Sequence, residues 1–474
     1  MSSGDTAWLR MDSPTNLMMI TGVIVLHDRI RLDEVRRLIE QRFLNFQRFR
    51  MRANQDMTGA WWEEDPDFDI ANHVVALNPP GNLSQRGLED LASKIASTPL
   101  NPQRPLWQYQ LIEDFRGGSA LIMRIHHCYA DGIALIQVLL SMTDTEPYPK
   151  EAAGKPPRQA HHSRRLLDQI AAEALALGKR GERLGREFLH ELRDQSAPEM
   201  VTSLIRKGSD FAFDLARFVL KPPDAVSRYR GELSPMKRVA WATPLPLSEV
   251  KAVGKAHSCT VNDVVLSCVA GALRTWLVEQ GDEVEGLEIN ATVPVNLRPP
   301  GGANRLGNYF GLVFLGIPIG IEDPLARLHA VAANMADLKR SFQPQISLGM
   351  LSLVGRGPSI LQRPVLEMFS SKATTVMTNV PGPQRPLYFA GSEIDQLLFW
   401  VPQSGSIGMG VSILSYNGKV QFGLMTDRNL VARPGQIIRR VADEFEKLVL
   451  VTLMKPWQQN ANTEAKNGPK RRKE

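Results

Sequence analysis

The chain has 474 residues, of which 43% are apolar and 22% are charged, and this length exceeds one compact core, so we expect two domains. Its formal charge of +6 is modest: it permits attraction to anionic lipid or to a phosphate-bearing cofactor, and we expect no nucleic-acid partner. No apolar run approaches the ~20 residues that span a bilayer, and the start of the chain lacks a signal-peptide pattern. These features predict a cytoplasmic protein whose three cysteines are reduced thiols.

Residues 1–145 predict an N-terminal domain of mixed helices and strands. After a turn-rich start, apolar runs typical of strands alternate with segments whose apolar residues have helical spacing. A group of prolines after residue 98 ends the second helix. A short turn at Gly117-Gly118 joins the last two strands as an antiparallel hairpin. The predicted elements are strands at 18–26, 49–52, 107–112 and 120–125, and helices at 32–43 and 84–98.

The stretch 120–140 is the most informative, because a strand ends there in two histidines and a helix follows. Side chains at strand ends are held rigidly and can reach a cleft. If the strand continues through His126 and His127, the two rings point to opposite faces, which disfavours a shared metal. One imidazole facing a cleft suits a general base, because its ordinary pKa of about 6.5 is close to neutral pH.

Asp131 and Gly132 follow the histidines, and several roles are open for the carboxylate. It could orient the imidazole, cap the helix that starts at Gly132, or bind an arginine, for which Arg50 and Arg52 are candidates. Those arginines could equally be solvated, and the histidines could be a hydrogen-bonded core pair.

Residues 146–235 predict a helical linker, because prolines replace the apolar periodicity and two amphipathic helices follow at 164–192 and 201–220. These helices either bridge the domains or bind a membrane or lipid droplet peripherally, since basic faces beside Phe and Leu favour anionic interfaces. The composition of residues 456–474 predicts a disordered basic tail.

Residues 236–455 predict a C-terminal domain that also mixes helices and strands. Its longest helix, 261–279, is capped by Thr260. Asp263 lies in the first turn and complements the helix dipole, which is a structural role. Asn262 could donate a hydrogen bond to a developing oxyanion. The other predicted elements are strands at 237–243, 287–295 and 373–379, a hairpin at 409–426, and helices at 248–257, 325–342 and 434–450.

The HHxxxDG pattern of residues 126–132 is accompanied by further motifs in a fixed order. They are Ser13-Pro14-Thr15-Asn16, Pro105-Leu106-Trp107, residues 260–266, residues 294–298, Leu306-Gly307-Asn308 and residues 379–383. In this order and spacing the chain resembles the bacterial wax ester synthase/diacylglycerol acyltransferase family, within the HHxxxDG superfamily of CoA-dependent acyltransferases. The resemblance covers nearly the whole chain.

The resemblance implies an α+β fold of two chloramphenicol-acetyltransferase-like domains, each a mixed sheet flanked by helices, joined by the helical linker. It also implies acyl transfer from acyl-CoA to a diacylglycerol or a long-chain fatty alcohol, giving triacylglycerol or a wax ester. Acyl-CoA is then a substrate, so we expect no cofactor and no metal, and the oligomeric state stays open. Two alternatives are another HHxxxDG enzyme with a different acceptor and a non-catalytic lipid-surface or scaffold homologue.

The resemblance assigns His127 as the proton acceptor. This assignment requires the ring to face a cavity, and a ring sealed from every cavity would contradict it. A covalent route through Cys128 is disfavoured, because adjacent side chains on an extended backbone diverge. The other predicted site residues are His126, Asp131, Gly132 and Asn262 in the catalytic set; Asn296, Arg298, Pro381 and Gly382 for substrate binding; and Pro105, Leu106, Trp107 and Asp263 in structural roles.

Overall fold

The structure is a computed structural model that describes residues 1–56, 59–147, 220–297, 306–308, 310–339, 341, 343, 346–347 and 362–454. Arg298, the predicted linker helices as far as residue 219 and the basic tail lie outside the described residues. The described chain forms two large mixed sheets with flanking helices, which is the α+β fold that the sequence predicts.

The first half supplies most of a six-stranded sheet. The strands are β1 (Met19–Leu26), β4 (Val74–Ala76), β5 (Trp107–Phe115), β6 (Gly118–His126), β12 (Tyr388–Phe389) and β13 (Ser392–Trp400), while β2 (Met51–Gln55) and β3 (Ala60–Glu64) form a separate hairpin. The strand order is β12-β13-β1-β6-β5-β4. β5 and β6 form the predicted antiparallel hairpin, and β1 and β6 at the centre are apolar and buried almost throughout.

Two strands of this first sheet come from the second half of the sequence. β13 pairs antiparallel with β1, with Leu398 opposite Val23, and β12 pairs with β13. The chain after Pro381 therefore leaves the second sheet and completes the first. The two halves of the sequence therefore share a sheet. The predicted domains, 1–145 and 236–455, do not include this exchange of strands.

The second sheet has seven strands. They are β7 (Lys237–Trp241), β8 (Leu245–Pro246), β9 (Ile289–Asn296), β10 (Phe310–Ile317), β11 (Thr375–Pro381), β14 (Met409–Tyr416) and β15 (Lys419–Asp427). The order is β10-β9-β11-β14-β15-β7, with β8 beside β15, and β11 runs parallel to both of its neighbours. The predicted hairpin is confirmed: β14 and β15 turn at Asn417 and Gly418, whose φ angles of 48° and 72° are typical of a primed turn.

Helices cover both sheets. They are α1 (Ser3–Arg10), α2 (Leu32–Gln41), α3 (Gln85–Ala96), α4 (Gly132–Ser141), α5 (Leu247–Ala256), α6 (Val261–Glu279), α7 (Pro324–Leu338), α8 (Gln362–Ser371), α9 (Gly435–Ile438) and α10 (Arg440–Met454). By length and composition α6 could cross a membrane, but 72% of its apolar window is buried. It packs against α5, α7 and α10, so it is a core helix of the second half.

Two local predictions are wrong, for identifiable reasons. The turn-rich start is helical because Ser2 caps α1 by accepting a hydrogen bond from the N–H of Asp5, and Trp8 is buried against the core. The strand predicted at 49–52 begins only at Met51, because a 3₁₀ turn, Gln47–Arg50, precedes it. The sequence patterns also do not reveal α8, β12 or β13.

Candidate active site

His126 is the last residue of β6, and His127 begins the loop that leads to α4. The N–H of His126 donates to the carbonyl of Leu106 at 2.9 Å, and the N–H of His127 donates to the carbonyl of Met18 at 2.7 Å. These bonds continue the hydrogen bonding of the sheet to both histidines, so neighbouring segments fix their backbone positions.

The imidazole ring of His127 stacks on the indole of Trp8 from α1. The ring centroids are 4.0 Å apart with an interplanar angle of 23°, and the ring of Phe310, at the start of β10, lies 5.8 Å from the imidazole. His127 is only 4% exposed. Aromatic contacts of this kind exclude water and restrict the orientation of the imidazole.

The assignment of His127 requires its ring to face a cavity, and this requirement stays a prediction, because residues 298–305 and 309, which adjoin Asn308 and Phe310 in the sequence, lie outside the described residues. One cavity of the described chain includes Lys237 in its lining and a second includes His27, and neither is lined by His127. Space does exist in the same loop, because a Cβ added to Gly132 would meet no described atom within 4 Å. The described residues therefore cover the imidazole with aromatic rings such as Trp8 while leaving room beside Gly132.

Burial holds both imidazoles in their neutral forms. It lowers the pKa of His127 to about 4, and the negative charge of Asp131 opposes this shift. Burial lowers the pKa of His126 to about 3, with a further contribution from His127. At pH 7 both rings are therefore neutral, with one nitrogen protonated and the other an acceptor.

His126 is oriented by the backbone of the loop. Its Nδ1 accepts a hydrogen bond from the N–H of Cys128 at 3.2 Å, so in the neutral ring the proton lies on Nε2. That nitrogen lies 3.9 Å from Oδ1 of Asp12, which accepts a hydrogen bond from the N–H of Met18. Neither Nε2 of His126 nor Nδ1 of His127 has a hydrogen-bond partner among the described residues.

Asp131 is the N-cap of α4. Its Oδ1 accepts a hydrogen bond from the N–H of Ala134 at 2.9 Å, and its own N–H donates to the carbonyl of Gly307 at 3.3 Å. The carboxylate is 3% exposed. Of the roles left open by the sequence, helix capping is therefore present, and the charge also acts on the pKa of His127.

Arg50 and Arg52 bind elsewhere, so their predicted pairing with Asp131 is wrong. Nη2 of Arg52 lies 3.2 Å from Oε2 of Glu63, and Nε of Arg50 donates to the carbonyl of Leu44 at 3.4 Å. The physical reason is the register of the β2–β3 hairpin, which places residue 52 directly opposite a carboxylate on the neighbouring strand.

Two carbonyl groups of the loop are held by polar side chains from distant parts of the chain. Nδ2 of Asn308 donates to the carbonyl of His127 at 3.0 Å and to Oδ1 of Asp5 at 2.9 Å. Nη1 of Arg48 donates to the carbonyl of Tyr129 at 2.8 Å and lies 3.4 Å from Oδ2 of Asp5. The carboxylate of Asp5 thus joins both side chains, and Asn308 links the second half of the sequence to the loop.

Sequence reasoning assigned no role to Asp5, Trp8, Arg48 or Phe310, and it included Asn308 only within a motif. Asp5 and Trp8 are three residues apart, which places them on one face of a helix. That signal was available only if the start of the chain was recognised as helical. Arg48 and Phe310 have no local pattern that separates them from ordinary surface and core residues.

Pro105, Leu106 and Trp107 anchor the start of β5 against the histidine loop. The N–H of Leu106 donates to the hydroxyl of Tyr129 at 3.0 Å, and Nε1 of Trp107 donates to the carbonyl of Phe49 at 2.7 Å. The N–H of Trp107 also donates to the carbonyl of Pro105. All of these hydrogen bonds join segments of the first half of the chain to one another, which is consistent with structural roles.

The start of α6 carries another group of predicted site residues. Thr260 and Asp263 form a capping box: the threonine hydroxyl accepts from the N–H of residue 263 at 3.2 Å, and the carboxylate accepts from the N–H of residue 260 at 2.8 Å. Oδ1 of Asn262 accepts a hydrogen bond from Nδ2 of Asn379 at 2.7 Å. This bond joins two of the sequence motifs to each other, and donation by Asn262 to an oxyanion stays a prediction.

The remaining predicted substrate-binding residues lie at strand ends. Asn296 is the last residue of β9, and its backbone lies opposite Phe310. Pro381 ends β11, and the N–H of Gly382 donates to the carbonyl of Ser415 at 2.8 Å. A Cβ on Gly382 would lie 2.5 Å from that carbonyl oxygen, so the close backbone approach requires glycine. These contacts explain the local backbone, and substrate binding there stays a prediction.

The described cysteines do not favour covalent catalysis. Cys128 is fully buried, and burial raises its pKa well above the ordinary value, so the thiol stays protonated and is a poor nucleophile. Within the described ranges, no group of three or more His, Cys, Asp or Glu side chains could hold a metal ion. The arrangement is suited to proton transfer by an imidazole.

Family models match both halves of the chain. The wax ester synthase/diacylglycerol acyltransferase catalytic domain matches residues 1–265, and the C-terminal domain of the same family matches residues 306–449. A probable diacylglycerol O-acyltransferase of Mycobacterium tuberculosis is 28% identical over 414 residues, which are 86% of this chain and 84% of that protein.

Solved structures show the same fold. A wax ester synthase/diacylglycerol acyltransferase from Marinobacter aquaeolei aligns with 95% of this chain and 98% of its own, with a TM-score of 0.63 and 21% identity. The first condensation domain of the calcium-dependent antibiotic synthetase aligns over 96% of both chains, with a TM-score of 0.58 and 14% identity. Since the catalytic-domain model alone matches more than half of the sequence, this chain belongs to the wax ester synthase/diacylglycerol acyltransferase family.

Proposed function

We propose that this protein transfers a fatty acyl group from acyl-CoA to the hydroxyl group of a diacylglycerol or a long-chain alcohol, with His127 as the general base. The products are a triacylglycerol or a wax ester, and free CoA. Family membership supports the reaction class. One observation supports the base: the neutral imidazole of His127 directly follows a central strand and lies between Trp8 of the first half and Phe310 of the second.

The reaction balances as a direct transfer in a ternary complex. His127 accepts the hydroxyl proton while the hydroxyl oxygen bonds to the thioester carbon, and a tetrahedral oxyanion forms. The C–S bond then breaks, and the imidazolium gives its proton to the leaving thiolate. General-base catalysis of this kind typically contributes about 10²–10⁴-fold.

Because the pKa of His127 is low, the placement of its ring contributes more to catalysis than its basicity does. With a pKa of about 4, nearly every ring is free base at neutral pH, but the driving force for accepting a proton is reduced. The imidazolium formed during the reaction is correspondingly acidic and protonates a thiolate readily. Correct placement of the ring against the hydroxyl therefore has to supply much of the acceleration.

The test is release of free thiol from palmitoyl-CoA, together with ester formation, when hexadecanol or dioleoylglycerol is the acceptor. His127→Ala is expected to lower kcat by about 10²–10⁴-fold. His73→Ala is a matched control, because His73 is also buried and stacks on a tryptophan, Trp107, at 4.4 Å. Unchanged turnover in His127→Ala would contradict the base. Turnover with amines alone would favour another superfamily reaction, and no turnover at all would favour a scaffold.

We also propose that the enzyme is cytoplasmic and meets its substrates at a membrane or lipid-droplet surface. Leu450, Leu453 and Met454 at the end of α10 are 53%, 76% and 81% exposed, and the sequence continues into a basic tail. Leu453→Ser is expected to weaken sedimentation with anionic phospholipid vesicles. Val278→Ser, at a half-exposed apolar position on α6, is the control, and equal binding by both variants would contradict this contact.

A further inference from the structure

The helix α1 carries a buried carboxylate that the proposed chemistry does not use. Asp5 is fully buried, and a carboxylate in such a place is costly unless charged or polar groups surround it. Burial raises the pKa of Asp5, while the neighbouring Arg48 cation and the amide of Asn308 lower it. Both carboxylate oxygens therefore have a donor, Oδ1 from Asn308 and Oδ2 from Arg48, in a polar cluster that bridges both halves of the sequence.

Both polar partners of Asp5 also bind the histidine loop. Asn308 reaches the carbonyl of His127, and Arg48 reaches the carbonyl of Tyr129. The two carbonyl groups flank Cys128, so the side chains hold the loop on either side of a single residue. The bond from Asn308 to the carbonyl of His127 fixes the peptide plane after this residue, and the N–H of His127, which donates to the carbonyl of Met18, fixes the plane before it. The two planes together fix the direction in which the imidazole leaves the backbone.

The carboxylate determines which end of the amide of Asn308 faces the loop. An amide group has one end that donates and one end that accepts, and the two differ only by a half-turn. Oδ1 of Asp5 and the carbonyl of His127 are both acceptors, so both require the NH₂ end. If the acceptor at Asp5 is removed, the preference for this orientation weakens, and so does the bond to His127.

The same helix contacts the ring of His127 directly. Trp8 is three residues after Asp5 on α1, and its indole stacks on the imidazole. The helix therefore restrains the histidine at two points, the ring through Trp8 and the backbone through Asn308.

We propose that Asp5 is a positioning residue for catalysis: through Asn308 and Arg48 it fixes the carbonyl groups of His127 and Tyr129, and so aims the imidazole at the reacting hydroxyl. This inference deepens the proposed function and rests on His127 being the base. Misplacement of a reacting group by about 1 Å can cost roughly 10²-fold in rate, which sets the size of the expected effect.

The test compares Asp5→Asn with Glu444→Gln. Asp5→Asn preserves the shape but replaces one of the two acceptor oxygens by an NH₂ donor, so the side chain can no longer accept from both Asn308 and Arg48. Glu444 is also a buried carboxylate bound to an arginine, Arg327, but it lies among the helices of the second half. Asp5→Asn is expected to lower kcat by about 10–100-fold, with KM for palmitoyl-CoA within about twofold of the wild-type value. Glu444→Gln is expected to lower thermal stability without changing the kcat of the folded enzyme.

Two further variants separate positioning from general destabilisation. Asn308→Ala removes the same bond to His127 without leaving an unpaired charge, and it is expected to lower kcat to a similar extent. In a His127→Ala background, Asp5→Asn is expected to cause no further loss, because there is no imidazole left to position.

The inference is overturned if folded Asp5→Asn has wild-type kcat, if Glu444→Gln loses the same factor, or if Asp5→Asn slows the His127→Ala enzyme further by that factor. Full activity of His127→Ala overturns the proposed base itself, whatever Asp5→Asn does, so the two failures are distinguishable.

Discussion

The starts of α4 and α6 are both stabilised by an aspartate, as the N-cap in α4 and as the third residue of a capping box in α6. Each helix begins with an acidic side chain that accepts a backbone N–H: Asp131 binds the N–H of Ala134, and Asp263 binds the N–H of Thr260. Before α4 the chain is a loop with a buried, neutral histidine whose Nδ1 has no partner among the described residues. At α6 the amide of Asn262 is paired with another asparagine.

The feature that separates the two helix starts is the imidazole before α4, which our proposal uses as the base. Around α4, Asn308 and Arg48 hold the loop carbonyls, and Nδ1 of His127 has no described partner. At α6, Asn262 and Asn379 bind each other, and the atom without a described partner is Oδ1 of Asp263, a carboxylate oxygen. Buried polar groups are normally hydrogen-bonded, so one that is not is a candidate for binding a ligand. Equal effects of the two aspartates on kcat would contradict this distinction between the helix starts.

The largest difference is expected between Asp131→Ala and Asp263→Ala. Asp131→Ala loses the N-cap of α4, and Asp263→Ala loses one of the two hydrogen bonds of the capping box of α6. The free energy of unfolding should therefore fall in both, by about 0.5–2 kcal/mol for the loss of the N-cap. Only Asp131→Ala also removes a charge that raises the pKa of His127, and its kcat should fall by roughly 10²-fold. Urea unfolding and single-turnover acyl transfer measure the two effects. Equal loss of kcat in the two variants would remove the distinction between the helix starts.

Asp131→Asn sharpens this result, because asparagine caps a helix as well as aspartate does. The hydrogen bond to the N–H of Ala134 should then be retained while kcat still falls. A variant with full activity would show that the cap, and not the charge, is what the reaction needs.

A second difference is expected in the response to acid. The folded pKa values of His126 and His127 are about 3 and about 4, below their ordinary value of 6.5. Between pH 6.5 and about 4 the unfolded chain binds more protons, so the free energy of unfolding decreases as the pH falls through this window, by a few kcal/mol in total. Urea unfolding from pH 7 to pH 4 measures this. The double variant His126→Ala/His127→Ala should show a shallower slope, and an unchanged slope would contradict the low pKa values.

Those features of the two helix starts that depend on local sequence patterns can be predicted from the sequence. The strand ending at His126, the helix from Gly132 and the capped helix from Val261 follow from periodicity and cap residues, and the structure confirms them. The motif order also identifies the family. These features need only a few neighbouring residues, so one sequence contains enough information to locate them.

The parts that join distant segments could not be predicted in the same way. Nothing near Asp5 in the sequence indicates that Asn308, 303 residues away, would donate to it. Likewise, β13 pairs with β1 across most of the chain, and register between distant strands is set by tertiary packing. The predicted pairing of Arg52 with Asp131 is wrong for a different reason: Arg52 binds Glu63 on the neighbouring strand of a local hairpin, a pairing that the sequence analysis did not consider.

A smaller effect is expected from the aromatic cover of the imidazole. Trp8→Ala admits water to the ring of His127, which weakens the desolvation that lowers its pKa. The acid limb of the profile of kcat/KM against pH should therefore move upward from about pH 4 toward pH 6.5. Trp8→Phe retains an aromatic neighbour and should move the limb much less. Identical profiles for wild type and Trp8→Ala would show that the indole does not control the pKa.

The smallest effect is expected at α6, where Asn262 and Asn379 bind each other through a 2.7 Å hydrogen bond. If the pair only joins two segments, Asn262→Ala and Asn379→Ala should each lower kcat a few-fold, and the double variant should lose no more than either single one, because both remove one shared bond. If Asn262 donates to the oxyanion, its replacement alone should cost about 10²–10³-fold, far more than that of Asn379. The two helix starts would then share the chemistry, with the base before α4 and the oxyanion donor at α6. A double-mutant cycle on kcat decides between these outcomes.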